Sequence, residues 1–281
     1  MKITFLLSLA TAAFFFAQPH AAAQPAASPT PQQTQLHALV EKVQAKIQSG
    51  KNTEAELADE LKSFDTLIAS ENGAKTDEAA QIVYMKAMLY LQVFKNTDKG
   101  AALVKQIKAD YPDTKIGKNA DQILAGLDKQ AAAQKIQDAL SAGAVFPDFA
   151  AKDLTGQPLS VGALKGKVVL VDFWATWCPP CRAELPNVIA TYKKHHSDGF
   201  EIIGVSLDSE RDKLDAFLKE QDGMTWPQYF DGLRWSNKLA VKYGVESIPF
   251  AVLIGPDGKI IGKDLRGEEL EAAVAGALVK K

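Results

Sequence analysis

The two cysteines of this chain, Cys178 and Cys181, are separated by Pro179 and Pro180 and follow an apolar run at residues 168–174 that predicts a buried strand. The prolines suit the first turn of a helix, where a missing backbone N–H costs nothing. A cysteine at a helix start faces unpaired N–H groups and the positive end of the helix dipole, which stabilise a thiolate. The spacing therefore predicts a redox pair in which the Cys178 thiolate attacks a substrate disulfide and Cys181 resolves the mixed disulfide.

Other roles for the pair fit the sequence less well. A purely structural disulfide across so short a loop would stabilise the fold by only about 2 kcal/mol. A zinc site needs four ligands, yet the chain has two cysteines in total and only His195 and His196 after them. Copper delivery would want soft donors or a later histidine as a ligand, and nothing obvious in the sequence supplies one. A thiol peroxidase would need a Pro-x-x-x-Thr/Ser-x-x-Cys setting, which the residues before Trp177 do not supply. We therefore expect no metal, and no cofactor beyond the redox-active disulfide itself.

Alternating strands and helices from Gly143 onward must position this pair. The four tryptophans also lie beyond this point. The strands are predicted at residues 149–154, 168–174, 200–207, 250–254 and 259–262, and the helices at 179–196, 210–221, 235–243 and from about Gly267. This alternation predicts an α/β domain with a layered sheet over residues 143–281.

Residues 35–142 have a different composition and predict an all-α domain. Ala, Lys, Gln, Glu and Leu dominate, and Pro112 is the only proline. A first helix is predicted to end at Gly50, and further helices are predicted to begin near Thr53, Thr76 and Thr97 and after Thr114. Residues 98–127 weakly resemble one tetratricopeptide-like helical hairpin, and a generic helical bundle is the alternative. No residue in this domain suggests chemistry.

The N-terminus has the pattern of an export signal. Lys2 precedes an apolar run at residues 3–17, and the small residues that end at Ala23 form a cleavage signature. We therefore expect a signal peptide at residues 1–23 and a Pro/Ala-rich linker at residues 24–34. The expected location is the periplasm. The alternative is an uncleaved membrane anchor, but the apolar run is shorter than the roughly 20 residues that a spanning helix needs.

The run from Val171 to Ala175, followed by the letters W-C-P-P-C, resembles the thioredoxin superfamily and, more narrowly, the TlpA/ResA-like exported thiol-disulfide oxidoreductases. Supporting motifs are Phe146-Pro147-Asp148-Phe149, Glu184-Leu185-Pro186, Gly204-Val205-Ser206, Ile248-Pro249 and the turn Gly255-Pro256-Asp257-Gly258-Lys259. The resemblance covers roughly residues 143–281. It implies a thioredoxin-like fold, a central mixed sheet flanked by helices, preceded here by the all-α domain.

The resemblance also implies roles for further residues. Asp172 matches a buried carboxylate beneath the redox pair and is expected to accept the proton of Cys181; the alternative is a solvent-facing strand end. Glu184 matches an acid of the TlpA/ResA-like branch, although any glutamate in a first helical turn is favoured by the dipole. Ile248 and Pro249 match a cis-proline loop that faces the cysteines and binds an extended substrate segment. Trp177 is expected to shape the same groove, with a core position as its alternative.

The expected activity is disulfide reduction in exported partner proteins, with a membrane thiol-disulfide transporter as the electron donor, as the resemblance implies. The net charge of −2 gives no field that attracts nucleic acid. Two alternatives remain open at this point. The helical domain could drive a binding or redox-sensing module with little turnover, or the same pair could serve an oxidase or isomerase, since the dipeptide between the cysteines does not fix the reduction potential.

Overall fold

The computed structural model describes residues 30–279. They fall into two compact units that meet in sequence between Ala120 and Asp121. The predicted signal peptide and most of the predicted linker lie outside the described residues. Within residues 30–279, no helix combines the length and the apolar content needed to cross a bilayer.

The first unit is all-α, as predicted. Two apolar clusters hold it together, one from α1, α2 and α3 and one centred on α3 and α4, so that consecutive helices bury their apolar faces against each other. The elements are α1 Pro31–Gln48, α2 Ala58–Ser70, α3 Asp77–Met88 with a π-helical turn Leu89–Val93, α4 Thr97–Asp110 and α5 Lys115–Ala139, which continues into the second unit.

Two helix starts differ from the sequence-based expectation. The first helix begins at Pro31, inside the predicted linker, because Thr30 caps it. The Thr30 hydroxyl accepts the Gln33 N–H at 3.2 Å, and the Gln33 side chain accepts the Thr30 N–H at 3.0 Å. Thr53 does not start α2. Its side chain instead closes a turn with Glu56 ahead of that helix.

The second unit contains a five-stranded mixed sheet flanked by helices, and this confirms the thioredoxin-like fold. The strand order is β5-β4-β3-β6-β7, with β3, β4 and β5 parallel and with β6 and β7 antiparallel to their neighbours. The helices α6 and α9 contact each other, and they also contact β4 and β3 respectively. The elements are β1 Ala151–Lys152, β2 Pro158–Leu159, β3 Val168–Trp174, α6 Pro179–His195, β4 Phe200–Ser206, α7 Arg211–Glu220, β5 Gln228–Phe230, α8 Lys238–Lys242, β6 Phe250–Ile254, β7 Ile260–Lys263 and α9 Gly267–Leu278.

The predicted strand at residues 149–154 is reduced to the short β1. Other contacts hold the start of this segment in place. Phe149 packs into the core, and the carboxylate of the preceding Asp148 accepts the N–H groups of Val161 and Gly162 at 2.9 Å each. The Tyr243 hydroxyl donates to the Pro147 carbonyl just before them at 2.6 Å. These contacts anchor the segment without a strand partner.

The strand register brings several chain segments to one edge of the sheet. Trp174, at the end of β3, pairs with Ser206, and Ser206 pairs with Phe230 at the end of β5. The antiparallel β6 begins at this edge, because Phe250 pairs with Phe173, and β7 ends there. The segments after β3, β4, β5 and β7, and the one before β6, therefore meet at one edge.

The last turns of α5 belong to the second unit. Leu140, which follows the helix, is buried in the core of this unit. The side-chain amide of Gln137 donates to the carbonyl of Tyr243 at 2.7 Å. The structural boundary thus falls inside α5, whereas the change of composition places it between residues 142 and 143. Composition could not reveal this, because the end of α5 is as rich in Ala, Gln and Lys as the helices before it.

We predict that Leu140→Ala destabilises the second unit by about 2–5 kcal/mol, because it removes buried methyl groups and leaves a cavity. The four tryptophans all lie in this unit, so their fluorescence during urea unfolding reports on it. The matched control is Ala139→Ser at the exposed neighbouring position, expected to stay within about 0.5 kcal/mol. An unchanged tryptophan transition in Leu140→Ala would place residue 140 outside this core.

Candidate active site

Cys178 and Cys181 form a disulfide at the start of α6, with Cα atoms 5.3 Å apart. Cys178 is the N-cap of the helix, and its Sγ accepts the backbone N–H of Cys181 at 3.3 Å. Because Pro179 and Pro180 have no N–H, this amide is the first donor that α6 offers. The donor and the positive end of the helix dipole are therefore directed at Cys178 Sγ, which favours a thiolate there in the reduced protein.

The two sulfurs face different surroundings, although both cysteines are shielded. Cys178 is 3% exposed and Cys181 is 6% exposed, so accessibility does not separate them. Cys178 Sγ lies 3.8 Å from the carbonyl oxygen of Ile248. Cys181 instead lines a small cleft beneath the helix start, together with Asp172 and Pro249. This difference in position suits Cys178 to meet a partner and Cys181 to exchange a proton with the protein interior.

Asp172 is the one ionisable residue of β3, and it is buried. Burial raises the pKa of its carboxyl to about 6, the Arg266 guanidinium opposes this rise, and the carboxylates of Glu184 and Asp264 add to it. A carboxylate with a pKa near 6 is largely ionised at neutral pH and binds a proton readily. Asp172 thus has the position and the basicity to accept the proton of Cys181.

Glu184 connects two helices at the cleft. One carboxylate oxygen accepts the N–H of Gly267, the first residue of α9, at 2.7 Å, and the other accepts the side-chain amide of Asn187 at 3.1 Å. A negative charge at this helix start is stabilising, because it satisfies an unpaired N–H and complements the dipole. Glu184 therefore fixes α9 against α6 and contributes a charge to the surroundings of Asp172. A direct part in catalysis stays a prediction.

The peptide bond between Ile248 and Pro249 is cis, as predicted. This loop adjoins both cysteines: the Ile248 carbonyl lies near Cys178 Sγ, and Pro249 lines the cleft with Cys181. Trp177 is 41% exposed and is therefore not a core residue. Its ring meets Trp235 edge-on, with centroids 6.0 Å apart.

A buried carboxylate that the sequence analysis did not single out fixes the loop before Cys178. Asp208, 3% exposed, accepts the Thr176 N–H at 3.1 Å and the Thr176 hydroxyl at 2.6 Å. The Ser206 hydroxyl donates to the same carboxylate at 2.8 Å. Asp208 follows β4, and Thr176 follows the neighbouring strand β3. The loop that carries Trp177 is thereby tied to the next strand.

The structure brings all the predicted site residues to one edge of the sheet. Four of them, Asp172, Cys181, Glu184 and Pro249, line the cleft, and Cys178 adjoins it through the disulfide. Trp177 and Ile248 lie on the Cys178 side. Arg266 and Asp208 were missed. Both stand shortly after a strand, Arg266 after β7 and Asp208 after β4. Polar residues at strand ends are the signal that could have found them, since ligands and catalytic groups of α/β sheets collect there.

Comparison with known proteins finds thiol-disulfide oxidoreductases that are similar to this chain. The family model described as the AhpC/TSA family matches residues 142–263. The thiol-disulfide oxidoreductase ResA of Bacillus anthracis is 33% identical over 144 residues, which cover 51% of this chain and 80% of the relative. ResA of Bacillus subtilis (strain 168) is 33% identical over 125 residues, covering 44% and 68% respectively. A crystal structure of the thioredoxin domain of a thiol-disulfide oxidoreductase from Bacteroides vulgatus is 34% identical, covers 48% of this chain and 96% of its own, and superposes with a TM-score of 0.44.

We predict that Asp172→Asn stabilises the oxidised protein above about pH 6 and changes its stability little below about pH 4. Burial raises the folded-state pKa of Asp172 from 3.8 to about 6. The stability that the protonated carboxyl contributes is therefore present below the unfolded pKa and lost as the pH rises through about 6. Asparagine stays neutral, so the variant should gain roughly 2–3 kcal/mol at pH 7–8 in urea unfolding followed by tryptophan fluorescence.

The control for this measurement is Asp128→Asn, an exposed position on α5. It should show no comparable gain at any pH. A pH-independent effect of Asp172→Asn would attribute its effect to packing and contradict the ionisation argument.

Proposed function

The chain belongs to the ResA-type thiol-disulfide oxidoreductases, and from this premise we propose that it is an exported reductase that passes two electrons from Cys178 and Cys181 to disulfides of partner proteins. The observation that carries the proposal is the asymmetry of the pair. Cys178 Sγ accepts the first amide N–H of α6 and lies 3.8 Å from the Ile248 carbonyl oxygen, whereas Cys181 shares a cleft with the buried Asp172. One sulfur is thereby suited to attack and the other to resolve.

The proposed reaction proceeds in two exchanges. The Cys178 thiolate attacks one sulfur of the partner disulfide, that bond breaks, and the other partner sulfur leaves as a thiolate that takes up a proton. The Cys181 thiolate then attacks Cys178 Sγ, releases the second partner thiol and leaves the Cys178–Cys181 disulfide. The partner gains two electrons and two protons. The cysteine pair loses two electrons and the Cys181 proton, and solvent supplies the other proton because Cys178 reacts as a thiolate.

Asp172 supports the second exchange by accepting the Cys181 proton. A free thiol with an ordinary pKa near 8.5 is mostly protonated at neutral pH, so the resolving step needs a base. Asp172 is ionised above about pH 6 and lies at the same cleft. Arg266, which lowers the pKa of Asp172, keeps this carboxylate available as a base near neutral pH.

Export and electron supply complete the proposal. The predicted signal peptide favours an exported location, and exported compartments are oxidising, so a reductase there needs a dedicated source of electrons. We propose a membrane thiol-disulfide transporter as the donor and exported proteins with disulfides as the acceptors. The name shared by the relatives, thiol-disulfide oxidoreductase, supports the chemistry but names no acceptor.

We predict a reduction potential for the Cys178–Cys181 pair more negative than about −200 mV at pH 7, in the range of reducing members of the thioredoxin fold. Equilibration of the purified protein with dithiothreitol or glutathione buffers, followed by tryptophan fluorescence, measures it. A value near the −120 mV or so of a strong oxidant would contradict the reductase proposal and favour the oxidase or isomerase.

We also predict that Cys181→Ser accumulates mixed disulfides with exported proteins through Cys178, because the intermediate loses its intramolecular exit. Cells are quenched with acid, and extracts run without reductant should show new high-mass bands that collapse when thiol is added. Two controls define the role of each sulfur. Cys178→Ser should trap far less, and the double variant should trap nothing.

If the Cys181→Ser protein is abundant but traps no more mixed disulfide than the double variant, the chain does not exchange disulfides with partners. That outcome would favour the binding or redox-sensing module.

A further inference from the structure

An exposed apolar surface adjoins the redox pair. Among the described residues, six large apolar side chains are exposed, and four of them belong to two nearby chain segments: Trp177 on one, and Leu233, Trp235 and Val241 on the other. Trp177 directly precedes Cys178, and Trp235 contacts Trp177. Exposed apolar side chains that contact one another, as these two tryptophans do, favour a site of interaction over side chains scattered singly. We call these four residues, with Arg234, the Trp235 surface.

The Trp235 surface continues into a groove. Trp235 and Val241 line it on one side, and Ala132, Ala133 and Ile136, from the part of α5 that belongs to the second unit, line it on the other. The charged residues Lys129 and Glu246 also belong to the lining. The groove has a volume of about 440 Å³, within the range of pockets that hold small organic groups. Its mostly apolar lining suits an aromatic or aliphatic side chain.

The groove depends on a close approach that only glycine allows. Gly244 has a φ of +63°, and a Cβ at this position would lie 2.6 Å from the carbonyl oxygen of Ala133. Glycine adopts this left-handed conformation without strain and leaves room for α5. The walls of the groove are therefore set by the backbone and not by movable side chains alone.

A buried hydrogen-bond network holds the two tryptophan loops in place. Asn237 is fully buried, and its side-chain amide donates to the carbonyl of Ser206 at 3.3 Å and to Asp231 at 3.1 Å. The Asn237 oxygen accepts two N–H groups at the start of α8. Ser206 also donates to Asp208, which anchors the Trp177 loop. One network thus positions both tryptophans before any partner arrives.

Arg234 adds a positive charge to this surface. Its backbone is left-handed, with a φ of +51°, a strained conformation for a residue other than glycine, and its guanidinium lies 5.5 Å from the centroid of the Trp177 ring. Within residues 30–279, no carboxylate forms an ion pair with Arg234. The strained backbone holds a guanidinium beside Trp177, the residue before Cys178, where a carboxylate of a bound molecule can pair with it.

We propose that the Trp235 surface and its groove dock the segment of a partner protein that carries the reducible cysteine, and that this segment supplies an apolar side chain to the groove and a carboxylate to Arg234. The inference rests on the proposed function and names its class of substrate. Cys178 is only 3% exposed, so a partner sulfur reaches it only if the partner's chain lies over the adjoining residues. Trp177 is one of these, and Trp235 touches it.

Peptide disulfides test the proposal. The probes are disulfide-linked dimers of a short peptide in which Phe and Leu flank the cysteine and Glu follows. One matched peptide has Ser in place of both apolar residues, and another has Gln in place of Glu. For the wild-type chain, kcat/KM for the first peptide should exceed that for the Ser peptide at least tenfold and that for the Gln peptide about threefold. 2-Hydroxyethyl disulfide, which has no side chain for the groove, serves as the reference substrate.

Variants locate the preference on the surface. In Trp235→Ser, the ratio of kcat/KM for the apolar peptide to that for the reference disulfide should fall at least tenfold, and in Val241→Ser about threefold. Arg234→Gln should remove the preference for Glu over Gln, and Arg234→Lys should retain most of it. Val279→Ser, an exposed valine at the end of α9, is the matched control and should leave every ratio unchanged.

The outcomes separate the two proposals. A wild-type chain that reduces neither the peptides nor the reference disulfide contradicts the proposed function. A chain that reduces all peptides equally, or whose ratios do not respond to Trp235→Ser, overturns the docking proposal and leaves the function standing. The wild-type peptide series decides the question even if Trp235→Ser fails to fold. A dimer in sedimentation that Trp235→Ser converts to a monomer would assign the surface to a second copy of the chain, and would also overturn docking.

Discussion

The register of β3 is the constraint on which the rest of the site depends. This strand is buried along its whole length, and successive side chains point to opposite faces of the sheet. Asp172 and Trp174 therefore share a face, and both line the cleft beneath α6. A slip of one residue would turn the carboxylate away from Cys181 and would place Phe173 in the cleft. The apolar residues that fix the register thus also fix the chemistry, although none of them takes part in it.

Two environments at this edge act in opposite senses on the groups they hold. The start of α6 favours a negative charge on Cys178 Sγ through an amide and the helix dipole. The buried cleft disfavours a negative charge on Asp172 and raises its pKa to about 6. In the proposed reaction, the first effect provides the nucleophile and the second a base that takes up a proton near neutral pH. Keeping a carboxylate in the core costs stability, and its place beneath Cys181 gives a functional reason for that cost.

Local rules predicted the parts of the site that depend on single elements. The apolar run predicted β3, and the prolines between the cysteines predicted the start of α6. The short β5 could not be found in this way. It exists through its pairing with β4 and through Gln228, whose buried side chain accepts the indole N–H of Trp174 at 3.0 Å. Such a strand has no pattern of its own, because its partners lie far away in the sequence.

Residues that belong to the site through sheet order were harder to predict. Arg266, Asp208 and Arg234 stand in polar loops that look like solvated surface in a sequence, and Trp235 was placed at the start of a predicted helix, whereas α8 begins at Lys238. Their strands end at the same edge as β3, and only the order β5-β4-β3-β6-β7 makes this evident. The resemblance to thioredoxins implied the cis-proline and the buried acid, since those positions are shared. It gave no information on the loop after β5 or on the end of α5.

The shielding of Cys178 and the rigidity of its surroundings act together on selectivity. Cys178 is 3% exposed as a residue, so in the proposed reaction the adjoining surface decides which disulfides reach it and influences the rate of the first exchange. A flexible loop would lose conformational entropy on binding, which offsets part of the contact energy. Here Asn237 and Asp208 hold the Trp235 and Trp177 loops in hydrogen bonds before binding. Most of the contact energy is then available to distinguish one disulfide from another, as the proposed reductase would need in an exported compartment where most disulfides must stay intact.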